Sequence, residues 1–162
     1  MLWEECFANG GYDRLFDDAG GIRQADGMGY PREDGACVIF AICGYRDGAN
    51  SPVYTGYQEG TDGTPYMLCA LWKPGMNTDG YTVVSVEKST WAVFRSETVE
   101  WAGGELPGLF ERIYTEWLPS SGYDRASGPD MDMYFGVEDG QFAEVWIPVK
   151  NCRHGNKKPV GV

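Results

Sequence analysis

Apolar and polar positions change period several times along the 162-residue chain, and each change marks a predicted element. Leu2, Trp3, Cys6 and Phe7 recur at helical spacing until Asn9-Gly10-Gly11 interrupts them, and Tyr12, Leu15 and Phe16 continue the stripe in a second short helix. After the Gly-rich stretch 19–35, Cys37-Val38-Ile39-Phe40-Ala41-Ile42-Cys43 is rich in residues that suit a pleated sheet. A Gly/Asp/Tyr loop over 46–64 then leads to Pro65–Trp72, the predicted partner strand, which Lys73-Pro74-Gly75 ends. Tyr66 and Trp72 share parity with Leu68 and Ala70, so a strand through all four places both aromatics on one face.

The second half repeats the order with an extra strand in front. Tyr81–Val86 and Thr90–Phe94 read as strands broken at Glu87-Lys88-Ser89. A helix over 105–117 carries Leu106, Leu109, Phe110, Ile113 and Trp117 on one apolar stripe, and Pro107 is tolerated because it falls in the first turn. Trp117 reads as core, and Tyr114 sits at the edge of the stripe. Met131–Phe135 and Phe142–Val149 form a hairpin across Glu138-Asp139-Gly140. The predicted fold is therefore α+β: a single domain over 1–162 made of duplicated strand-helix-strand-strand units, near 1–73 and 80–150. Antiparallel sheet encloses a central ligand cleft, and the first strand of unit one is missing from the pattern.

One position breaks the apolar pattern of the last strand. Glu144 shares a face with Phe142, Trp146 and Pro148, while Ala143, Val145, Ile147 and Val149 take the other. An ionised carboxylate in an enclosed aromatic face needs a partner, because desolvating its charge costs several kcal/mol or more. That partner is either a protein donor or a ligand.

Composition narrows the function classes. With 24 acidic against 13 basic residues, the net charge of −11 repels a polyanionic backbone, so direct nucleic-acid binding is not expected. No apolar run is long enough to span a bilayer and no signal-peptide pattern opens the chain, which predicts a cytoplasmic protein without a membrane partner. Cys6, Cys37, Cys43, Cys69 and Cys152 include no Cys-x-x-Cys pair and read as reduced core thiols. His154 stands alone in a polar tail. Neither a metal site nor a cofactor is predicted.

Several motifs then fall into a recognisable order: Trp91-Ala92-Val93-Phe94, Ile113 through Tyr123 (Ile-Tyr-Thr-Glu-Trp-Leu-Pro-Ser-Ser-Gly-Tyr), Met133-Tyr134-Phe135 and Glu144-Val145-Trp146-Ile147-Pro148-Val149. In these the chain resembles GyrI-like domains, also called AraC-type effector-binding domains, specifically from about 81 to 150 and more loosely from 2 to 72. The resemblance implies a tandem strand-helix-strand-strand fold around a cavity for aromatic or cationic small molecules, with a glutamate at the position of Glu144. Members of that family open the first unit with a strand, whereas this chain starts inside the helix at Leu2. That implies a truncation or an edge filled another way, a partner chain among them. The loop 46–64 is longer than the family's turn and is a candidate lid.

Binding a planar organic cation requires aromatic walls and a carboxylate that compensates desolvated charge. Glu144 is the expected carboxylate, and Trp146, Trp91, Tyr134, Tyr114, Tyr66 and Trp72 are the candidate walls. The expected function is stand-alone binding of hydrophobic, aromatic or cationic small molecules, in drug or toxin sensing or sequestration. An enzymatic alternative is hydrolysis of cyclopropane-bearing DNA-alkylating toxins, with Glu144 as general base and Tyr134 or Tyr114 donating to a developing phenolate. A gyrase-inhibitor-like interaction through the acidic surface is a further alternative. A second copy of the chain or a separate regulator protein is the macromolecular partner these readings leave open.

Overall fold

The computed structural model describes residues 2–20, 39–46, 53–54 and 66–152. The chain opens with α1 (Leu2–Ala8) and α2 (Gly11–Asp18). Between them Gly10 adopts φ 72° and the Asn9 side-chain oxygen accepts from the Gly11 amide at 2.9 Å, the turn chemistry that Asn-Gly favours. Next come β1 (Phe40–Cys43), β2 (Tyr45–Arg46), β3 (Val53–Tyr54) and β4 (Tyr66–Cys69). The second half contains β5 (Thr90–Arg95), α3 (Leu106–Arg112), a π-helical stretch Ile113–Trp117 running on into α4 (Leu118–Ser120), β6 (Tyr123–Arg125), β7 (Asp130–Val137) and β8 (Gly140–Asn151).

Six of these strands form one antiparallel sheet in the order β4-β1-β7-β8-β5, with β6 also pairing β8. The antiparallel pairs β1/β4 and β7/β8 meet through their first strands, β1 and β7. Strand β5 flanks the second hairpin at one end of this order, and β4 stands at the other end.

Both helical layers pack on one face. Leu106, Phe110 and Ile113 lie on Ala143, Val145, Ile147 and Val149; Tyr12, Leu15 and Phe16 lie on Ile39, Leu68 and Ala70. The other face gathers Phe40, Ile42, Met131, Met133, Phe135, Phe142 and Trp146. The face assignment along β8 thus follows the strand period, and burying Ala143, Val145 and Ile147 completely sets its register, since a slip of one residue would turn Glu144 into the helices. Trp117 packs edge-on against Phe94 at 4.8 Å beside the α3 core, as its stripe position predicts.

Three expectations need correction. Tyr81–Val86 forms no strand, because β propensity needs a partner and none of the described strands pairs with it; Val84 packs inward and Val83 is 58% exposed. The loop over 46–64 is not without its own structure, since Tyr45 and Arg46 pair with Tyr54 and Val53; its remaining residues lie outside those described, as do Cys37 and Val38. The helix predicted to stop at 117 continues to Ser120, where Gly122 (φ 75°) closes the turn. No helix among the described residues is long and apolar enough to cross a membrane.

Candidate functional site

Strand β7 alternates Asp130-Met131-Asp132-Met133-Tyr134-Phe135, and the alternation sorts its side chains by chemistry. Met131, Met133 and Phe135 join the apolar face. Asp130, Asp132 and Tyr134 point to the helix side, on the strip of sheet between the footprints of α2 and α3. Both carboxylates are 0% exposed. Burial of two acids on one strand demands donors, and the two halves of the chain supply them.

Asp132 is met by hydroxyl and thiol groups. Tyr66 donates to its Oδ2 at 2.5 Å, Tyr134 donates to the same oxygen at 3.2 Å, and the Cys43 thiol donates to Oδ1 at 3.3 Å. Cys43 and Tyr66 come from β1 and β4, and Tyr134 comes from β7 itself. Among the described residues no cation pairs with Asp132. Desolvation pushes its pKa up to about 6, against the opposing pull of the hydrogen bonds from Tyr66, Cys43 and Tyr134. The same burial and the neighbouring carboxylate push Tyr66, Tyr134 and Cys43 upward, so all three stay protonated as donors.

Asp130 is held differently. Arg125 forms an ion pair with Oδ1 through its Nη2 at 2.9 Å and its Nε at 3.2 Å, Tyr114 donates to Oδ2, and Arg125 Nη2 also donates to the Gly128 carbonyl at 2.6 Å. This carboxylate has its counter-charge inside the fold. The pair therefore divides into a structural acid, Asp130, and an acid with only neutral donors, Asp132.

The roof of the Asp132 site is Trp101, which is 54% exposed and stacks on Tyr134 with ring centroids 6.5 Å apart at 17°. Two glycines permit this. Val99 and Gln141 exchange backbone hydrogen bonds of 2.7 and 2.8 Å, and a Cβ on Gly140 (φ 141°) would come within 2.5 Å of the Val99 carbonyl oxygen. The Trp101 indole lies over Gly103, where a Cβ would meet it at 2.8 Å. Tyr66 and Tyr134 both donate inward to Asp132, and their hydroxyl oxygens lie 3.3 Å apart beside the exposed Trp101 indole.

The seven candidate residues of the sequence reading separate across the sheet. Tyr66, Tyr114 and Tyr134 converge on the two aspartates. Glu144, Trp146 and Trp91 lie on the opposite face: Glu144 is 4% exposed, its Oε2 accepts from the Trp146 indole N–H at 3.0 Å, and Trp91 lies 6.3 Å from Trp146. Arg95 is directly across from Glu144 on β5, with its guanidinium 3.4 Å from the Phe142 ring centroid. Glu144 therefore does not meet Tyr134 or Tyr114 around one space. Trp72 does not share a face with Tyr66, because β4 ends at Cys69 and strand parity ends with it; Trp72 and Trp146 instead line a cavity on the apolar side. Asp130, Asp132, Cys43, Trp101 and Arg125 escaped the sequence reading. Acids at alternate positions of a strand, separated by methionine, were the available signal for the first two.

With this geometry in place, the protein can be classed. A sequence model of the integron-associated effector binding protein family, Cass2, matches residues 46–149, which include every described residue of the Asp132 site except Cys43. The chain belongs to that family, and small-molecule binding is the activity the membership carries. No curated protein and no solved structure matches the chain.

Proposed function

We propose that the chain binds small aromatic cations at the Asp132 site, in sensing or sequestration. The observation that carries this reading is Asp132 itself: a fully buried carboxylate with three neutral donors and, among the described residues, no cationic partner. A bound cation would supply the missing charge through the phenol oxygens of Tyr66 and Tyr134, and its ring would stack on Trp101, where cation–π attraction adds to burial. The motif resemblance to GyrI-like domains supports the same ligand class. In this proposal Asp132 takes the part that the sequence assigned to Glu144, whose carboxylate already accepts from Trp146.

The test is titration of a rhodamine-type cationic dye by fluorescence anisotropy at pH 7.5. Asp132→Asn and Trp101→Ala should each weaken binding by tenfold or more, whereas Glu144→Gln should stay within about twofold, since each 1.4 kcal/mol of lost interaction is a factor of ten. Equal affinity for a neutral dye of the same shape, or undiminished binding by Asp132→Asn, would overturn the assignment.

A further inference from the structure

We propose that two copies of the chain pair edge to edge through β5, so that the sheet runs on across a two-fold axis at Val93. The direction in which β5 presents its backbone follows from its neighbour β8. Pro148 has no N–H, and its carbonyl accepts from the Ala126 amide at 2.8 Å, on the β6 side of β8. Trp91 stands opposite Pro148 and so makes no ladder bond to β8; its N–H and C=O point away from the sheet. The Ser96 amide, by contrast, donates to the Ala143 carbonyl at 2.9 Å. Antiparallel ladders alternate row by row, so Thr90, Ala92 and Phe94 bond to β8, while Trp91, Val93 and Arg95 turn their N–H and C=O groups outward. No strand among the described residues takes them up.

Edges of this kind are normally blunted by proline, a bulge or an outward charge. β5 contains no proline, and its register against β8 is continuous from Thr90 to Arg95. Its single charge, Arg95, folds back over its own sheet with the guanidinium 3.4 Å from the Phe142 ring centroid. Val93, in the middle of the strand, is 41% exposed. On the helix side Trp117 packs against Phe94, and Tyr123, stacked on Trp117, is 38% exposed. Exposed aromatics beside an apolar edge suit a protein interface.

The edge is its own complement. A two-fold axis at Val93 sets Val93 against Val93 of the second copy and Trp91 against the second copy's Arg95, so every outward row of β5 meets another. The two arginines then stand on opposite sides of the axis. An axis at Ala92 or Phe94 leaves one outward row without a partner inside the strand. The net charge of −11 on each copy opposes this pairing, whereas it would attract an unrelated basic segment, so the two occupants respond oppositely to salt.

Sedimentation equilibrium of the full chain, from micromolar to millimolar concentration, should show a reversible monomer–dimer equilibrium. It should tighten as salt rises from about 0.01 M to about 1 M, where the screening length falls from about 30 Å to about 3 Å. Backbone hydrogen exchange reads the edge directly. The amides of Trp91, Val93 and Arg95 should gain protection with protein concentration, while those of Ala92 and Phe94, bonded to β8, stay protected throughout. Val93→Pro removes an outward donor without touching the β8 ladder, and Val93→Lys places a charge on the edge; each should weaken the dimer at least about tenfold. The lysine variant carries the test if the proline variant does not fold. A chain that stays monomeric at millimolar concentration would overturn the proposal, as would a dimer that the folded variants leave intact. So would a dimer in which the three outward amides gain no protection, or protection that appears only when an unrelated basic strand peptide is added.

Discussion

Tyr66 and Asp132, 66 positions apart and contributed by different halves of the chain, are joined by a hydrogen bond of 2.5 Å in which the phenol donates to a carboxylate without solvent exposure. The bond crosses β1, because β4 and β7 are both neighbours of that strand. It fastens the β1/β4 pair to the β7/β8 hairpin where β1 and β7 meet. Removing the hydroxyl takes a donor from a buried charge, which is among the more costly single deletions.

Tyr66→Phe should destabilise the fold by about 1–3 kcal/mol at pH 7, the usual penalty for stripping a donor from a buried charged acceptor. It should also move Asp132 further up, because the Tyr66 hydrogen bond is the largest of the influences holding it down. Urea unfolding at pH 7 measures the first effect. A carbon-13 carboxyl titration measures the second, and an unchanged Asp132 midpoint would break the assignment of this bond.

Asp132 should give stability a defined pH dependence. Its folded pKa of about 6 lies above the unfolded value of 3.8, so the folded state holds the proton more tightly between the two. The stabilising contribution is fully present below about pH 4 and is lost as pH rises through 6, a swing of roughly 2–3 kcal/mol at about 1.4 kcal/mol per pKa unit. Asp132→Asn should lack that slope when its urea-unfolding curve is subtracted from the wild type's. Parallel curves would show that Asp132 titrates alike in both states.

Cation binding should run in the opposite direction. Deprotonated Asp132 is the form that compensates a ligand charge, so dye affinity should rise as pH increases through about 6 and level off above it. Asp132→Asn should bind weakly and without this midpoint. A wild-type profile flat between pH 5 and 8 would exclude Asp132 as the counter-charge.

Arg125→Met should be more damaging than any change at Asp132. It leaves Asp130 at 0% exposure without its ion pair, and breaking one side of a buried pair costs about 3–5 kcal/mol. Arg125→Lys should recover only part of this, because a single ammonium cannot reach the Asp130 carboxylate, the Ala126 carbonyl and the Gly128 carbonyl in the geometry of a guanidinium fork. Full rescue by lysine in thermal unfolding would show that charge alone matters there.

Gly140→Ala should lower stability and disturb Trp101 together, since the added Cβ would lie 2.5 Å from the Val99 carbonyl oxygen in the bridge that carries the chain toward the indole. Trp101 emission should shift to the red as its stacking on Tyr134 loosens. An unaltered spectrum with lowered stability would separate the bridge from the roof of the site.

The repeating order of elements was legible in the chain because periods of two and of about 3.6 residues leave different marks. The β7/β8 hairpin, the α3 stripe, the two short N-terminal helices and the faces of β8 all follow from side-chain alternation and turn residues. Membership of a small-molecule-binding family was likewise foreshadowed by the spacing of the motifs from Trp91 to Val149. Tyr66, Tyr114 and Tyr134 were legible as polar aromatics in or beside apolar elements. Tyr81–Val86 was misread because intrinsic β propensity carries no information about whether a partner strand is within reach.

What the sequence by itself determined is which residues share a face of a strand or helix, since that is a local consequence of backbone geometry. It established that Glu144 and Trp146 lie together, and that Ala143, Val145, Ile147 and Val149 turn away from them. Only the tertiary structure decided which faces look at each other. The register of β1 against both β4 and β7 brings Tyr66 and Cys43 to Asp132, and it leaves Glu144 on the reverse of the sheet from the tyrosines once grouped with it. Contacts between residues more than sixty positions apart depend on strand order, and strand order is set by the burial of whole layers, which no local pattern records.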